Sequence, residues 1–367
     1  MLERYGHGGD MLTAERLYGL PRGAFADFSS NMNPWGPPAG AREAMMAAWE
    51  EIAAYPDPAA RKLRTALSAR HGVPVESIWV GNGAAELIDL VMRSMRPETV
   101  TLLAPGFAEY ETAVRRAGGV PEFVPLTAER DFLPEPASLI GSAKRTGAVL
   151  IGNPNNPTGR LLRNDVIDEL IHTARRIVFD EAFLDFAPDE RQRTVIRHAS
   201  SHSNVFVIRS LTKFYSIPGL RLGYVVAHPE AIGRIRELAV PWSVNAIAMA
   251  VGAAALQDEP FAAHTLAWLP PERAWLSGSL SRLGLKVFPS DANFLLFQFP
   301  PDGAWRVKQA QSALGAAGVL IRDASLFRGL DDTYCRVAVK RREDNERLVE
   351  ALRNWMEAGG GQDGRGA

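Results

Sequence analysis

Residues 210–224 read SLTKFYSIPGLRLGY and follow, one residue on, the apolar, β-branched run 205–208, VFVI. That run has the length and composition of a buried strand, so Ser210, Lys213 and Arg221 gather at its carboxyl end and in the loop beyond. In a parallel sheet that end is where ligands bind. A lysine held in a dry pocket is destabilised as an ammonium, becomes a neutral amine nearer physiological pH and can condense with an aldehyde. A serine, a lysine and an arginine so spaced are by themselves more often solvated loop charges, and the rest of the chain must decide.

Upstream, Ile177 and Val178 lead into FDEAF at 179–183, which puts Asp180 at the carboxyl end of a second short strand. A carboxylate there either caps the next turn or pairs with a protonated ring nitrogen, the two charges stabilising each other where the dielectric is low. A third strand, AVLI at 148–151, runs into NPNNPTG at 153–159, a tight turn on any reading, whose Asn156 amide in a cofactor site would donate to a ring oxygen. A fourth, IWVGNGAAE at 78–86, breaks at Gly81 and Gly83 into an apolar-periodic helix through Met95. Unpaired N–H groups at that helix start make a phosphate site, although the spacing is not a dinucleotide fingerprint. An aldehyde, a ring nitrogen and a phosphate together describe pyridoxal 5′-phosphate.

The motifs GNGAAE, PGFAEY, NPNNPTG, DEAF and SLTKFYSIPGLRLGY, followed by YCRVAVKR at 334–341, resemble in order and spacing the fold-type I pyridoxal-phosphate enzymes of the class I/II aminotransferase group. The resemblance spans nearly the whole chain. Within the group, GHGGD at 6–10, DFSSNMNPWGPP at 27–38, AYPD at 54–57 and PWSVNA at 241–246 resemble the L-threonine-O-3-phosphate decarboxylase family of cobalamin biosynthesis, with the histidinol-phosphate aminotransferases next.

The resemblance implies that Lys213 is the lysine that condenses with the cofactor, Asp180 the partner of its ring nitrogen, Asn156 the donor to its phenolate oxygen and Phe107 the ring stacked on its face. Gly83, Ala84, Ala85, Ser210 and Arg221 would hold the cofactor phosphate, with Tyr55 reaching it from a second copy, so the expected active unit is a homodimer with shared sites. Arg336 is expected to grip the substrate carboxylate; Arg322, His7, Asn31 and Asn156 complete the expected site for a phosphorylated amino acid. The chain also departs from many members of the wider group, which carry tyrosine three residues after the aspartate where Phe183 stands here. With one donor fewer to the phenolate, the imine is expected to keep its proton to higher pH.

A chain of 367 residues with 46% apolar content exceeds one typical core. Alternating helical and strand signals between an irregular arm, 1–38, and about residue 258 predict an α/β large domain, 39–258, with a mostly parallel seven-stranded sheet between helices. A long helical stretch from Pro260 opens a smaller α+β domain, 259–357, with strands at 293–299, 319–322 and 334–340, before a Gly-rich tail, 358–367, expected to be disordered. The net charge of −1 without a basic block argues against nucleic acid as a partner, and the lone Cys335 excludes an internal disulfide and a multi-cysteine metal site. No apolar run approaches the ~20 residues of a membrane span and the amino end lacks a signal-peptide core, so a cytoplasmic location is expected.

Overall fold

The computed structural model describes residues 8–359. The apolar runs become strands of one sheet: β1 Ile78–Gly81, β2 Thr99–Ala104, β3 Val120–Pro125, β4 Ala148–Gly152, β5 Ile177–Asp180, β6 Val205–Ser210 and β7 Gly223–Ala227. Their order across the sheet is β1-β7-β6-β5-β4-β2-β3. All neighbours run parallel except β7, which is antiparallel to both β6 and β1. The expected mostly parallel seven-stranded sheet is therefore present.

Both faces of the central strands are covered, and every residue of β4, β5 and β6 is buried. On one face the helices Ala84–Met95, Ala108–Arg116 and Pro229–Leu238 pack Leu87, Val91, Val114 and Ile232 against Leu150, Val178, Ile208 and Val225. Side chains alternate along a strand, so Asp180 shares the face of Val178 and Ser210 that of Ile208. The same alternation turns Arg209 and, just beyond β5, Glu181 to the opposite side, where they form a fully buried ion pair at 2.8 Å.

This sheet belongs to a compact unit made of Trp35–Asn156 and Arg160–Leu266. Among the described residues, a second unit takes the chain up to Pro34, Pro157–Gly159 and the part from Ala267 on. It holds an antiparallel sheet in the order Arg322–Asp323, Tyr334–Ala338, Phe294–Gln298, Lys286–Val287, together with a parallel pair of Ala26–Asp27 and Val319–Leu320. Helices Val307–Ala316 and Arg342–Glu357 complete it, and the unit boundary falls within the long helix Glu259–Arg282.

Two local expectations are corrected. The amino-terminal arm is not irregular throughout: Met11–Tyr18 is helical because Asp10 accepts from the Thr13 N–H at its start and Gly19 adopts φ 69° at its end. Its Ala14 packs on Leu320. The run 319–322 is not one strand; the chain changes sheets at Ile321, whose carbonyl accepts from Gln311 instead of a ladder partner. Of the tail expected to be disordered, 358–367, residues 360–367 lie outside the described residues. Among those residues no helix is long and apolar enough to cross a membrane.

Candidate active site

The sheet register assembles the first cluster. Ser210 at the end of β6 pairs with Gly223 of β7, which pairs in turn with Gly81 of β1. From Gly81 the chain turns through Gly83, at φ 94°, into the 12-residue helix Ala84–Met95, whose first turn has no side-chain cap. A Cβ on Gly83 would lie 2.5 Å from an Arg221 guanidinium nitrogen, so only glycine lets that cation come so close to the helix start. Gly83, Ala84, Ser210 and Arg221 are thereby brought together, and Ala85 follows in the first helical turn.

Lys213 lies in the short helix Leu211–Phe214, and its Nζ donates to Ser210 Oγ at 3.2 Å. Loss of hydration pulls its ammonium pKa below the ordinary lysine value; Asp180 opposes that shift and Arg221 adds to it. The Phe183 ring centroid is 5.6 Å from Nζ. Asp180, 6% exposed, accepts from the Ala182 N–H through one oxygen and from the Tyr110 hydroxyl, at 2.8 Å, through the other. The bond from Ala182 makes the turn expected of an aspartate at a strand end, and the other oxygen is held by the Tyr110 hydroxyl. Burial raises the pKa of this carboxyl, while Lys213 and its two donors act to lower it.

The loops after β2 and β4 are tied by the Asn155 amide, which donates to the Pro105 carbonyl at 3.1 Å. That bond ties the PGFAEY loop, with Phe107, to the NPNNPTG turn, with Asn156. Phe107 is half-buried and meets the Tyr110 ring edge-on at 5.5 Å. Tyr55 differs from the others in being 82% exposed, with its ring 4.9 Å from that of Trp242.

The second unit carries a separate group. Arg322 and Arg336 are register partners on antiparallel strands, each 5% exposed. Arg336 donates to the Ser29 carbonyl at 2.6 Å, and the Phe327 ring lies within 5.4 Å of the Arg322 guanidinium and 6.0 Å of that of Arg336. Asn31 is buried beside this strand system, its carbonyl accepting from Asn293, and neither atom of its side-chain amide has a hydrogen-bond partner among the described residues. His7 lies outside the described residues.

Sequence reasoning missed Tyr110. Its signal was present in PGFAEY, where the tyrosine stands one helical turn after Phe107, but a core aromatic fits that spacing equally well.

The sequence pattern described as aminotransferase class I and II matches residues 25–352. A provisionally named threonine-phosphate decarboxylase of Caldanaerobacter subterraneus subsp. tengcongensis is 38% identical over 90% of this chain and 90% of its own length. The threonine-phosphate decarboxylase of Salmonella typhimurium is 35% identical over 95% and 96%. Among solved structures, the histidinol-phosphate aminotransferase of Clostridium acetobutylicum superposes with a TM-score of 0.85 at 28% identity, covering 90% of this chain and 99% of that one. With a lysine, an aspartate and an uncapped helix start collected at the carboxyl edge of the sheet these relatives share, the chain belongs to the class I and II aminotransferase family.

Proposed function

We propose that this chain is a pyridoxal-phosphate-dependent carboxy-lyase that decarboxylates L-threonine O-3-phosphate to (R)-1-amino-2-propanol O-2-phosphate, the linker of the cobalamin nucleotide loop. The residues present fit the cofactor: a buried carboxylate with one oxygen set by a turn, a lysine whose ammonium is destabilised, and a glycine turn that a Cβ would fill, with a guanidinium beside it. When bound, pyridoxal 5′-phosphate supplies an electron sink for the electron pair left as the carboxylate departs.

Around it, Ala84 and Ala85 N–H groups, Ser210 and Arg221 hold its phosphate, Asn156 donates to its phenolate oxygen, and Phe107 covers its ring. Asp180 would pair with the ring nitrogen, and Lys213, its ammonium destabilised, would be the amine that holds the cofactor through its aldehyde. Tyr55 serves the site of a second copy. Its exposure, with that of Met46, Trp49, Ile52, Val240 and Trp242, supports a homodimer formed through this apolar surface. A cytoplasmic location belongs to the same reading.

One observation carries the choice of substrate: two buried guanidiniums sit opposite each other in register, an arrangement suited to a ligand with two anionic groups. Arg336 takes the carboxylate, and Arg322, Asn31 and His7 take the phosphate. Two relatives named for phosphothreonine decarboxylation favour carbon–carbon cleavage over transamination. In that reaction the bond to the carboxylate breaks, carbon dioxide leaves and a proton takes its place on carbon.

The test is to incubate the holoenzyme with L-threonine O-3-phosphate, without any keto acid, and follow carbon dioxide and the cofactor spectrum. Sustained release with an unchanged aldehyde form is expected, and Arg322→Met or Arg336→Met should raise KM at least tenfold. No release, with stoichiometric conversion of the cofactor to its amine form by histidinol phosphate, would make the chain an aminotransferase like its structural neighbour instead.

A further inference from the structure

We propose that Tyr110 is the positioning residue of Asp180, its hydroxyl fixing one carboxylate oxygen by a hydrogen bond so that the side chain meets the bound cofactor in a single orientation. The inference rests on the pyridoxal-phosphate reading of the site and adds a residue to it.

The geometry is built from three elements. Tyr110, 4% exposed in the helix Ala108–Arg116, donates to Asp180 Oδ2 at 2.8 Å, while the Ala182 N–H donates to Oδ1 at 3.0 Å. With one donor on each oxygen, the carboxylate plane cannot turn without breaking a buried bond. The third element is β4: its last residue, Gly152, is the register partner of Asp180, and a Cβ there would stand 2.9 Å from the Tyr110 hydroxyl. The strand ends in the residue type that leaves room for the phenol. The Phe107 ring meets that of Tyr110 edge-on, at 84°.

The electrostatics agree in direction. Burial and the adjacent Asp180 push the Tyr110 hydroxyl pKa well above the usual phenol value, so it stays a donor across any working pH. The Asp180 carboxyl, raised by burial, is held down by Lys213 first, then by Tyr110 and Ala182. Removing the hydroxyl leaves a buried carboxylate with one donor fewer, and its protonated form gains.

Tyr110→Phe keeps the ring and deletes only the bond. The expected result is a folded protein that releases bound pyridoxal 5′-phosphate about tenfold faster and shows the acid limb of cofactor binding about one pH unit higher. In an Asp180→Asn background the same change should have no further effect on release. Wild-type release and an unmoved acid limb in Tyr110→Phe, or an equal loss in both backgrounds, would overturn the proposal. Should Tyr110→Phe fail to fold, Gly152→Ala, which crowds the hydroxyl, carries the same expectation for release and pH. Failure of the underlying reading is separately visible: wild-type protein would then take up no pyridoxal 5′-phosphate, with no absorption band to follow.

Discussion

Lys213 and Asp180 were legible because each is a chemically unusual residue at a place where the local pattern is plain: a charged side chain ending an all-buried strand, or one turn beyond it. Tyr110 was not legible, because its value lies in a contact with Asp180 across 70 residues of sequence and an aromatic at its position needs no explanation beyond the core. The Arg322 and Arg336 pairing was likewise hidden, since the register that sets them opposite each other depends on the change of sheet at Ile321. Phe183 was legible as an absence, and the structure gives it a location: 8% exposed, with its ring 5.6 Å from Lys213 Nζ. A phenol in its place would add a donor for the deprotonated form of the lysine-bound cofactor. Phe183→Tyr is therefore expected to lower, by about one pH unit, the midpoint at which the holoenzyme's visible absorption changes. An unmoved midpoint in a spectroscopic pH titration, or one moved upward, would count against a hydroxyl at this position reaching the cofactor.

At the scale of elements, the strands that carry the site were readable from short apolar runs bounded by Gly, Pro and Asn, since burial on both faces leaves a continuous apolar signal. The helix Met11–Tyr18 was missed for the opposite reason. It is a two-turn element beside glycines and prolines, and its apolar face is satisfied by distant residues: Ala14 packs on Leu320, and the Tyr18 hydroxyl donates to the Gln311 carbonyl, some 300 residues away. What starts it is local: Asp10 accepts from Thr13, and that bond lowers the carboxyl pKa from its ordinary value. Asp10→Ala should cost this helix about 1 kcal/mol. The check is amide hydrogen exchange over residues 14–18, expected to quicken about fivefold while the central strands β4 to β6 exchange as before; equal rates in the two proteins would mean that the cap contributes nothing. The loss belongs to the arm because no other described side chain caps this helix.

At the scale of the molecule, part of the pH dependence of stability arises from charges buried on the sheet face opposite Asp180 and Ser210. Arg209, fully buried, meets Glu181 at 2.8 Å, Asp185 at 3.3 Å and Glu190 at 2.5 Å, and Arg70 approaches Asp185 at 3.7 Å. Against this cluster His71 bonds the Tyr224 hydroxyl at 2.7 Å. Burial, then the charges of Arg209, Arg70 and Arg191, push its pKa from 6.5 down to about 2. The unfolded chain thus binds a proton that the folded one refuses, and stability contributed by the neutral ring is present above pH 6.5 and lost as pH falls from there toward 2. Glu181 and Asp185 act in the opposite sense: burial raises their pKa values, so they hold protons longer when folded, and their contribution is lost as pH rises through the folded values. The total slope mixes these terms, but a comparison isolates the histidine. His71→Gln retains an amide able to bond Tyr224 and removes the titration. Measured by denaturant unfolding, the advantage of wild type over His71→Gln should shrink by about 2 kcal/mol between pH 7 and pH 5, the work of protonating one unfolded histidine over that interval. Parallel stability curves would show that the folded protein admits the proton at His71 after all, and that the arginines around it do not keep the ring neutral.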